Sequence, residues 1–118
     1  MNLVVLIGRI TGDDKVRVGE HDGRHVLNFD IAVNWYLGNN EKTAYFKCSH
    51  WTPKPSNVAQ YLTRGKPVAV HGEVSTESRD HNGKTYTDLA VNVRKLELIG
   101  NRDDAAPGEP PVSDFLQA

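Results

Sequence analysis

A period of two in the apolar residues is the feature that most constrains what this chain can fold into. Between Arg24 and Asn34, apolar side chains recur at every second position, namely Leu27, Phe29, Ile31 and Val33. The segment from Ala44 to Trp51 alternates in the same way. Because successive side chains of a strand point to opposite faces of a sheet, this period predicts strands that each bury one face. The chain is therefore expected to fold as an all-β domain.

Turn sequences separate the strands of the first half. An apolar run from Leu3 to Ile7, followed by Gly8, predicts a buried strand, and residues 15–18 are a second strand candidate. Asp22-Gly23 is a pair that favours a two-residue hairpin turn. The polar segment 37–41 is expected to connect the two alternating strands.

The second half is expected to begin with a short helix. Ser56 can cap the N-terminus of a helix, and Gly65 suits its C-terminal end. Between them Val58, Tyr61 and Leu62 recur at helical spacing.

A two-stranded hairpin completes the predicted domain. Residues 68–74 and 89–98 alternate like strands, and Asn82-Gly83 suits the hairpin tip between them. Gly72 predicts a bulge or bend in the first of these strands, and a phase shift predicts a bulge near Arg94-Lys95 in the second. The order is that of five-stranded Greek-key barrels with one short helix between strands 3 and 4, of which the OB-fold is the commonest.

Charge and proline divide the chain into two parts. Residues 1–100 contain 13 basic and 11 acidic residues, a net charge of +2, and are expected to form the single folded domain. Residues 101–118 carry a net charge of −3 and three of the six prolines. Because such a segment has little to bury, it is predicted to be a short, acidic, disordered tail.

Composition and motifs argue against several classes of function. One cysteine cannot form an intramolecular disulfide or a cysteine-based zinc cluster, and the five histidines lack ligand spacing. The sequence has no nucleophile motif and no phosphate-binding glycine loop, so we predict no enzyme activity, no metal and no cofactor. It has no apolar run near the ~20 residues of a membrane span and no secretory signal. A cytoplasmic protein without a membrane partner is expected.

The segment from residue 44 to residue 51 carries the strongest functional signal. In a strand, Tyr45, Lys47 and Trp51 share the outward face, whereas Cys48 and His50 point inward as core residues. Exposing a tryptophan or a tyrosine costs roughly 1.5–3 kcal/mol relative to burial. Nucleobases stacked on these rings return about 1–3 kcal/mol per base, with Lys47 at a phosphate. The alternative, in which Trp51 is a partly buried core residue, stays open.

Further aromatic and basic residues fall at strand ends and connections, where a groove across a barrel would collect them. Trp35 or Tyr36 is expected to stack a base. Taken singly, basic residues at such places are usually solvated surface charges. Interleaved with aromatic rings, they are what single-strand binding without base readout requires. These candidates are Arg9, Arg17, Lys42, Lys54, Arg64, Arg79 and Lys84.

Several motifs resemble bacterial single-stranded DNA-binding proteins. NLVVLIGRIT at 2–11 is similar to the first strand of that family, and NFDIAVN at 28–34 to its second core strand. Asp13 and Arg17 match an acid and an arginine of a further family element. The most specific match is Trp51 followed by NVAQYL at 57–62, RG at 64–65 and VAVHGE at 68–73. Together the motifs extend from residue 2 to about residue 99.

The resemblance implies an OB-fold that assembles as a homotetramer. It implies binding of single-stranded DNA without sequence preference, protecting it in replication, recombination and repair at the nucleoid. Tyr45 and Trp51 match stacking positions of the family, and Lys47 and Arg64 match basic positions.

Three segments depart from the family pattern, the first being Thr52-Pro53-Lys54-Pro55, which replaces a more helical, glycine-containing stretch after Trp51. Ser78-Arg79 stands where many members have a hairpin aromatic, so one stacking platform is expected to be absent. The chain ends in DFLQA at 114–118, where the family has an acidic cluster followed by Ile-Pro-Phe. This end implies weak or altered recruitment of protein partners by the tail.

Two other functions remain open at this point. The small positive charge of residues 1–100 and the expected lack of a hairpin aromatic favour an OB-fold protein-interaction module with reduced DNA affinity. Sugars also stack on aromatic rings, so an oligosaccharide-binding OB domain is a third candidate. Binding of poly-pyrimidine DNA that weakens with salt distinguishes the first function from the others.

Overall fold

Six strands and one short 3-10 helix make up the computed structural model, which describes residues 1–12, 14, 16–54 and 57–100. The first three strands are β1 (Val4–Ile10), β2 (Arg17–His21) and β3 (Arg24–Leu37). They are followed by β4 (Asn40–Thr52), the 3-10 helix (Val58–Tyr61), β5 (Pro67–His81) and β6 (Lys84–Leu98).

The strands form a sheet in the order β1-β5-β6-β4-β3-β2, and an additional pairing of β1 with β3 closes it into a barrel. The pairing of β4 with β6 is parallel, and the other pairings are antiparallel. Five strands therefore build the ring, with the helix between the third and the fourth of them, which confirms the OB-fold. The short strand β2 lies outside the ring as an extra strand on the edge of β3.

The hairpins are longer than the sequence pattern predicts. Residues 37–41, expected to be a polar connection, instead continue β3 and β4 up to a two-residue turn at Gly38-Asn39. The turns expected at Asp22-Gly23 and Asn82-Gly83 are confirmed, and all four of their residues have positive φ. This conformation matches the twist of the flanking strands.

The predicted helix is reduced to one 3-10 turn. It begins after Asn57, whose side chain makes no capping hydrogen bond, while the predicted cap Ser56 lies outside the described residues. The amide of Leu62 donates to the carbonyl of Ala59 at 3.1 Å, and the Leu62 side chain is buried. Gly65 has a φ of +86° in the turn that follows.

The barrel interior is filled by the inward faces of its five strands, joined by Leu62. The predicted face of β3 is confirmed, because Leu27, Phe29 and Ile31 are buried and Val33 packs against them. The other buried members of this core are Ile10, Cys48, Val68, Val70, Val91 and Val93.

A bulge lies where the sequence predicts one. His71 is opposite Lys95 but Gly72 is opposite Val93, so Arg94 is the extra residue of β6. A Cβ on Gly72 would overlap the backbone carbonyl of Asn92, so this position requires glycine. The bulge thus depends on a close approach of two backbones.

Some sequence predictions concern parts of the chain that the structure does not describe. The second strand runs from Arg17 to His21 rather than over residues 15–18, and Asp13 and Lys15 lie outside the described residues. The same holds for residues 101–118, so the tail and the domain boundary at residue 100 stay predictions. Within the described part, no helix is long and apolar enough to cross a membrane.

Candidate nucleic-acid interface

The outward side of β4 carries the aromatic and basic residues as its alternation predicts. Tyr45 is 66% exposed, the Lys47 side chain is about half exposed, and Trp51 is half-buried. Between Lys47 and Trp51, the Ser49 hydroxyl donates to Oδ1 of Asn28 on β3 at 2.7 Å. Tyr45 and Trp51 are six residues apart, which places their rings ~20 Å apart along the strand.

The inward side of β4 belongs to the core. Cys48 is buried, and burial, with a smaller contribution from the charge of Asp30, raises the pKa of its thiol to about 12. The half-buried His50 hydrogen-bonds through Nδ1 to the Val93 carbonyl oxygen at 3.0 Å. Cys48 is a core residue as predicted, whereas His50 points inward but stays half-buried at the edge of the core. No group of three or more metal-ligating side chains occurs among the described residues.

Trp51 is packed against a basic side chain at the edge of a cleft. The guanidinium of Arg24 lies 5.4 Å from the centre of the Trp51 ring, within the range of a cation–π contact. The cleft continues along the bulged part of β6, past Asn92 and Arg94. Arg94 forms a two-pronged ion pair with Glu73, its Nε and Nη2 both donating to the carboxylate. This pair lowers the pKa of Glu73.

A second cluster lies on the β5–β6 hairpin beside Lys47. Asp88 accepts a hydrogen bond from Nε of Arg79 at 2.8 Å and pairs with Nζ of Lys47 at 3.2 Å. These hydrogen bonds, first from Lys47 and then from Arg79, lower the pKa of Asp88. The Arg79 guanidinium also lies 5.1 Å from the centre of the Tyr86 ring, which is 40% exposed. The hairpin therefore carries an exposed aromatic, Tyr86 of β6. It lies opposite Arg79 of β5, where the sequence lacks the expected aromatic.

We call this surface the aromatic–basic face. It is defined by the outward residues of three adjacent strands: Tyr45, Lys47 and Trp51 of β4, Tyr86 and Asp88 of β6, and Arg79 of β5.

The strand register extends the aromatic–basic face over β3 to two more predicted cations. Arg17 is opposite Asn28, which is opposite Ser49, so Arg17 lies on the same outward surface. Arg9 is opposite Ala32, which is opposite Tyr45. Because neighbouring strands are about 4.8 Å apart, Arg9 lies roughly 10 Å from Tyr45 across the sheet.

The remaining predicted residues lie at the periphery. Trp35 and Tyr36 are adjacent residues near the tip of the β3–β4 hairpin, so they point to opposite faces of it, and Lys42 is opposite Trp35. Lys84 begins β6 at the tip of its hairpin. Two more lie outside the strands: Lys54 after β4, and Arg64 between the 3-10 helix and β5.

Sequence reasoning missed three residues of this surface. Tyr86 and Asp88 lie on the same outward side of β6 as Ala90. Alternation in the sequence places them on one side of a strand but does not show that β4 is the neighbouring strand. Arg24 meets Trp51 only because β3 and β4 pair with Val26 opposite Trp51. No local signal predicts that contact.

The comparisons with known proteins agree with this architecture. A single-stranded DNA-binding protein of Halalkalibacterium halodurans is 31% identical, the match covering 98% of this chain and 70% of that protein. One of Clostridium perfringens is 35% identical over 92% of this chain and 72% of that protein.

Two solved structures share the fold. The small single-stranded DNA-binding protein of Streptomyces coelicolor superposes with a TM-score of 0.70 at 16% identity, over 81% of this chain and 92% of that chain. The Plasmodium falciparum protein in complex with single-stranded DNA superposes with a TM-score of 0.65 at 21% identity. The match covers 85% of this chain and 96% of that chain. A family model described as the single-strand binding protein family matches residues 1–99. This chain therefore belongs to the single-strand binding protein family.

Proposed function

We propose that this protein binds single-stranded DNA without sequence preference and protects it during replication, recombination and repair. The observation that carries the proposal is the aromatic–basic face, where exposed rings alternate with cations over three adjacent strands. Rings accept any base because every base has a π-face, and cations neutralise phosphates regardless of sequence. Membership of the family, and relatives named for this binding, support the proposal.

The proposed chemistry is binding without a catalytic step. Tyr45 and Trp51 stack bases, and Trp35 or Tyr36 extends the path at the hairpin tip. Phosphates are neutralised by Lys47 and Arg79 within the face and by the other predicted basic residues, namely Arg9, Arg17, Lys42, Lys54, Arg64 and Lys84. We place this activity in the cytoplasm, at the nucleoid.

Tryptophan fluorescence during titration with oligo-dT tests the proposal directly. We expect deep quenching, because Trp51 lies on the proposed path of the bases. The quenching weakens as salt rises, because phosphate contacts release counterions, and duplex DNA causes none. Absence both of quenching and of a mobility shift at micromolar protein would sink the DNA-binding proposal. The fold would stand, and a protein-interaction module would become the better explanation.

We further propose that the protein is a homo-oligomer, a tetramer as in its family, that associates through β1. Leu3, Val5 and Ile7 expose 53–64% of their surface in a row on one side of this region. One edge of β1 pairs with β5, and on its other edge only Arg9 and Ile10 pair with β3 among the described residues. The rest of this second edge is proposed to receive another strand. Exposed apolar patches of this kind are typical of association surfaces.

A charge placed in the β1 row is expected to dissociate the oligomer. Val5→Asp should sediment as a smaller species than the wild type, because burying an unpaired carboxylate in an apolar interface is costly. Val18→Asp is the matched control, since Val18 is 58% exposed on β2 and should leave the sedimentation coefficient unchanged. Identical sedimentation of Val5→Asp and the wild type contradicts association through β1.

The tail forms the last part of the proposal. Residues 101–118 lie outside the described residues, and their sequence ends in DFLQA. We propose that they recruit protein partners weakly or with altered selectivity. A pull-down by the full chain that is as strong as one by a relative ending in Ile-Pro-Phe would contradict this.

A further inference from the structure

Asp88 is an acidic residue in the middle of a surface that is proposed to bind an anion. A single carboxylate oxygen, Oδ2, contacts both Nε of Arg79 at 2.8 Å and Nζ of Lys47 at 3.2 Å. The Asp88 side chain is only 22% exposed, whereas the side chains of Lys47 and Arg79 are 49% and 54% exposed. Both cations lower the pKa of Asp88, so it is ionised at neutral pH. The Asp88 carboxylate therefore offsets one of the two positive charges that it contacts.

Stability alone does not account for this arrangement. Ion pairs whose cations are about half exposed, as here, contribute little to folding, because solvent screens the charges and ordering the side chains costs entropy. The geometry of the three side chains instead favours binding of an anion. An ammonium and a guanidinium converge on one anionic oxygen, and the same guanidinium lies 5.1 Å from the centre of the exposed Tyr86 ring. Such converging cations suit a phosphate oxygen, and an exposed ring beside them suits the adjoining base.

We propose that Asp88 occupies a phosphate site of the aromatic–basic face and that a backbone phosphate of single-stranded DNA displaces it from Lys47 and Arg79. The inference rests on the proposed function and deepens it by naming a residue that sets affinity. In the free protein the carboxylate holds the two cations in position but competes with DNA for them. We expect the competition for the two cations to affect DNA affinity more than their positioning does. The carboxylate carries a full negative charge that repels an incoming phosphate, whereas a solvent-accessible ion pair orders its side chains only weakly.

The isosteric variant Asp88→Asn tests this competition. We expect its dissociation constant for labelled oligo-dT at 0.1 M salt to fall about three- to tenfold, since one opposing charge is removed at short range. The plot of log affinity against log salt should steepen by up to about 0.7, the value for one charge on a single strand, because the displaced carboxylate of the wild type stays nearby and offsets one cation. The control is Asp80→Asn, which makes the same charge change on the same hairpin. Oδ1 of Asp80 accepts from the hydroxyl of Thr85 at 2.8 Å, and this variant should change affinity less than twofold.

The outcomes separate the inference from the proposed function. Wild-type binding combined with an Asp88→Asn variant no tighter than Asp80→Asn overturns the inference and leaves the proposed function intact. If Asp88→Asn binds oligo-dT and the wild type does not, the inference is supported. If neither the wild type nor Asp88→Asn binds, both proposals are rejected. Asp88→Ser, checked by thermal melting, replaces Asp88→Asn if the latter does not fold. A measurement without any variant is the carboxyl carbon resonance of Asp88 in the wild type, which should move on saturation with oligo-dT; a stationary resonance overturns the inference.

Discussion

Replacing Trp51 by alanine is expected to weaken binding of oligo-dT by about 5- to 150-fold, because each stacked base contributes about 1–3 kcal/mol. The position of Trp51 is fixed by its place on β4 opposite Val26 and by the guanidinium of Arg24 over its ring. Removing its ring leaves Arg24 without the surface on which it lies. The affinity is measured by fluorescence anisotropy of labelled oligo-dT, because the variant itself loses a tryptophan signal.

Two further variants control this measurement. Trp51→Phe keeps a ring and should retain most of the affinity while losing the same fluorescence. Trp35→Ala removes the other tryptophan, at the hairpin tip, and should keep the quenching that reports Trp51. Equal affinities of Trp51→Ala and the wild type at every salt concentration would show that bases do not stack at this position.

Replacing Phe29 by alanine is expected to lower the free energy of unfolding by about 3–5 kcal/mol, the range for an aromatic truncated in a packed core. Phe29 is 1% exposed and lies opposite Cys48 in the barrel interior. Its removal leaves a cavity that the surrounding strands cannot fill without breaking their register. Urea unfolding at a fixed protomer concentration measures the change, because an oligomer's stability depends on concentration.

Tyr36→Ala is the matched control for this truncation. It removes a ring of similar size from a side chain that is 70% exposed, so its effect on unfolding should stay within about 0.5 kcal/mol. A loss for Phe29→Ala no larger than that of Tyr36→Ala would mean that the barrel interior is not packed as described.

Much of the barrel could be predicted from local patterns, because every second residue of a strand points to the buried face and is apolar. The inward set of β3, the inward Cys48 and His50, and the bulge at Gly72 and Arg94 follow from alternation and from its single change of phase. The short helix lies where the sequence predicts it but is only one 3-10 turn long. Helical spacing of three residues does not distinguish an α-helix from a 3-10 turn anchored by one buried leucine, Leu62.

The sequence by itself determined the fold class, the family and the outward position of Tyr45, Lys47 and Trp51, because these depend on residues close together in the chain. Only the tertiary structure decided which charges meet on that surface. Asp88 reaches Lys47 because β6 runs parallel to β4, and it reaches Arg79 because β5 folds back on β6. Arg24 reaches Trp51 through the pairing of β3 with β4. These contacts join residues 9 to 41 positions apart, and strand register, which no local pattern records, brings them together.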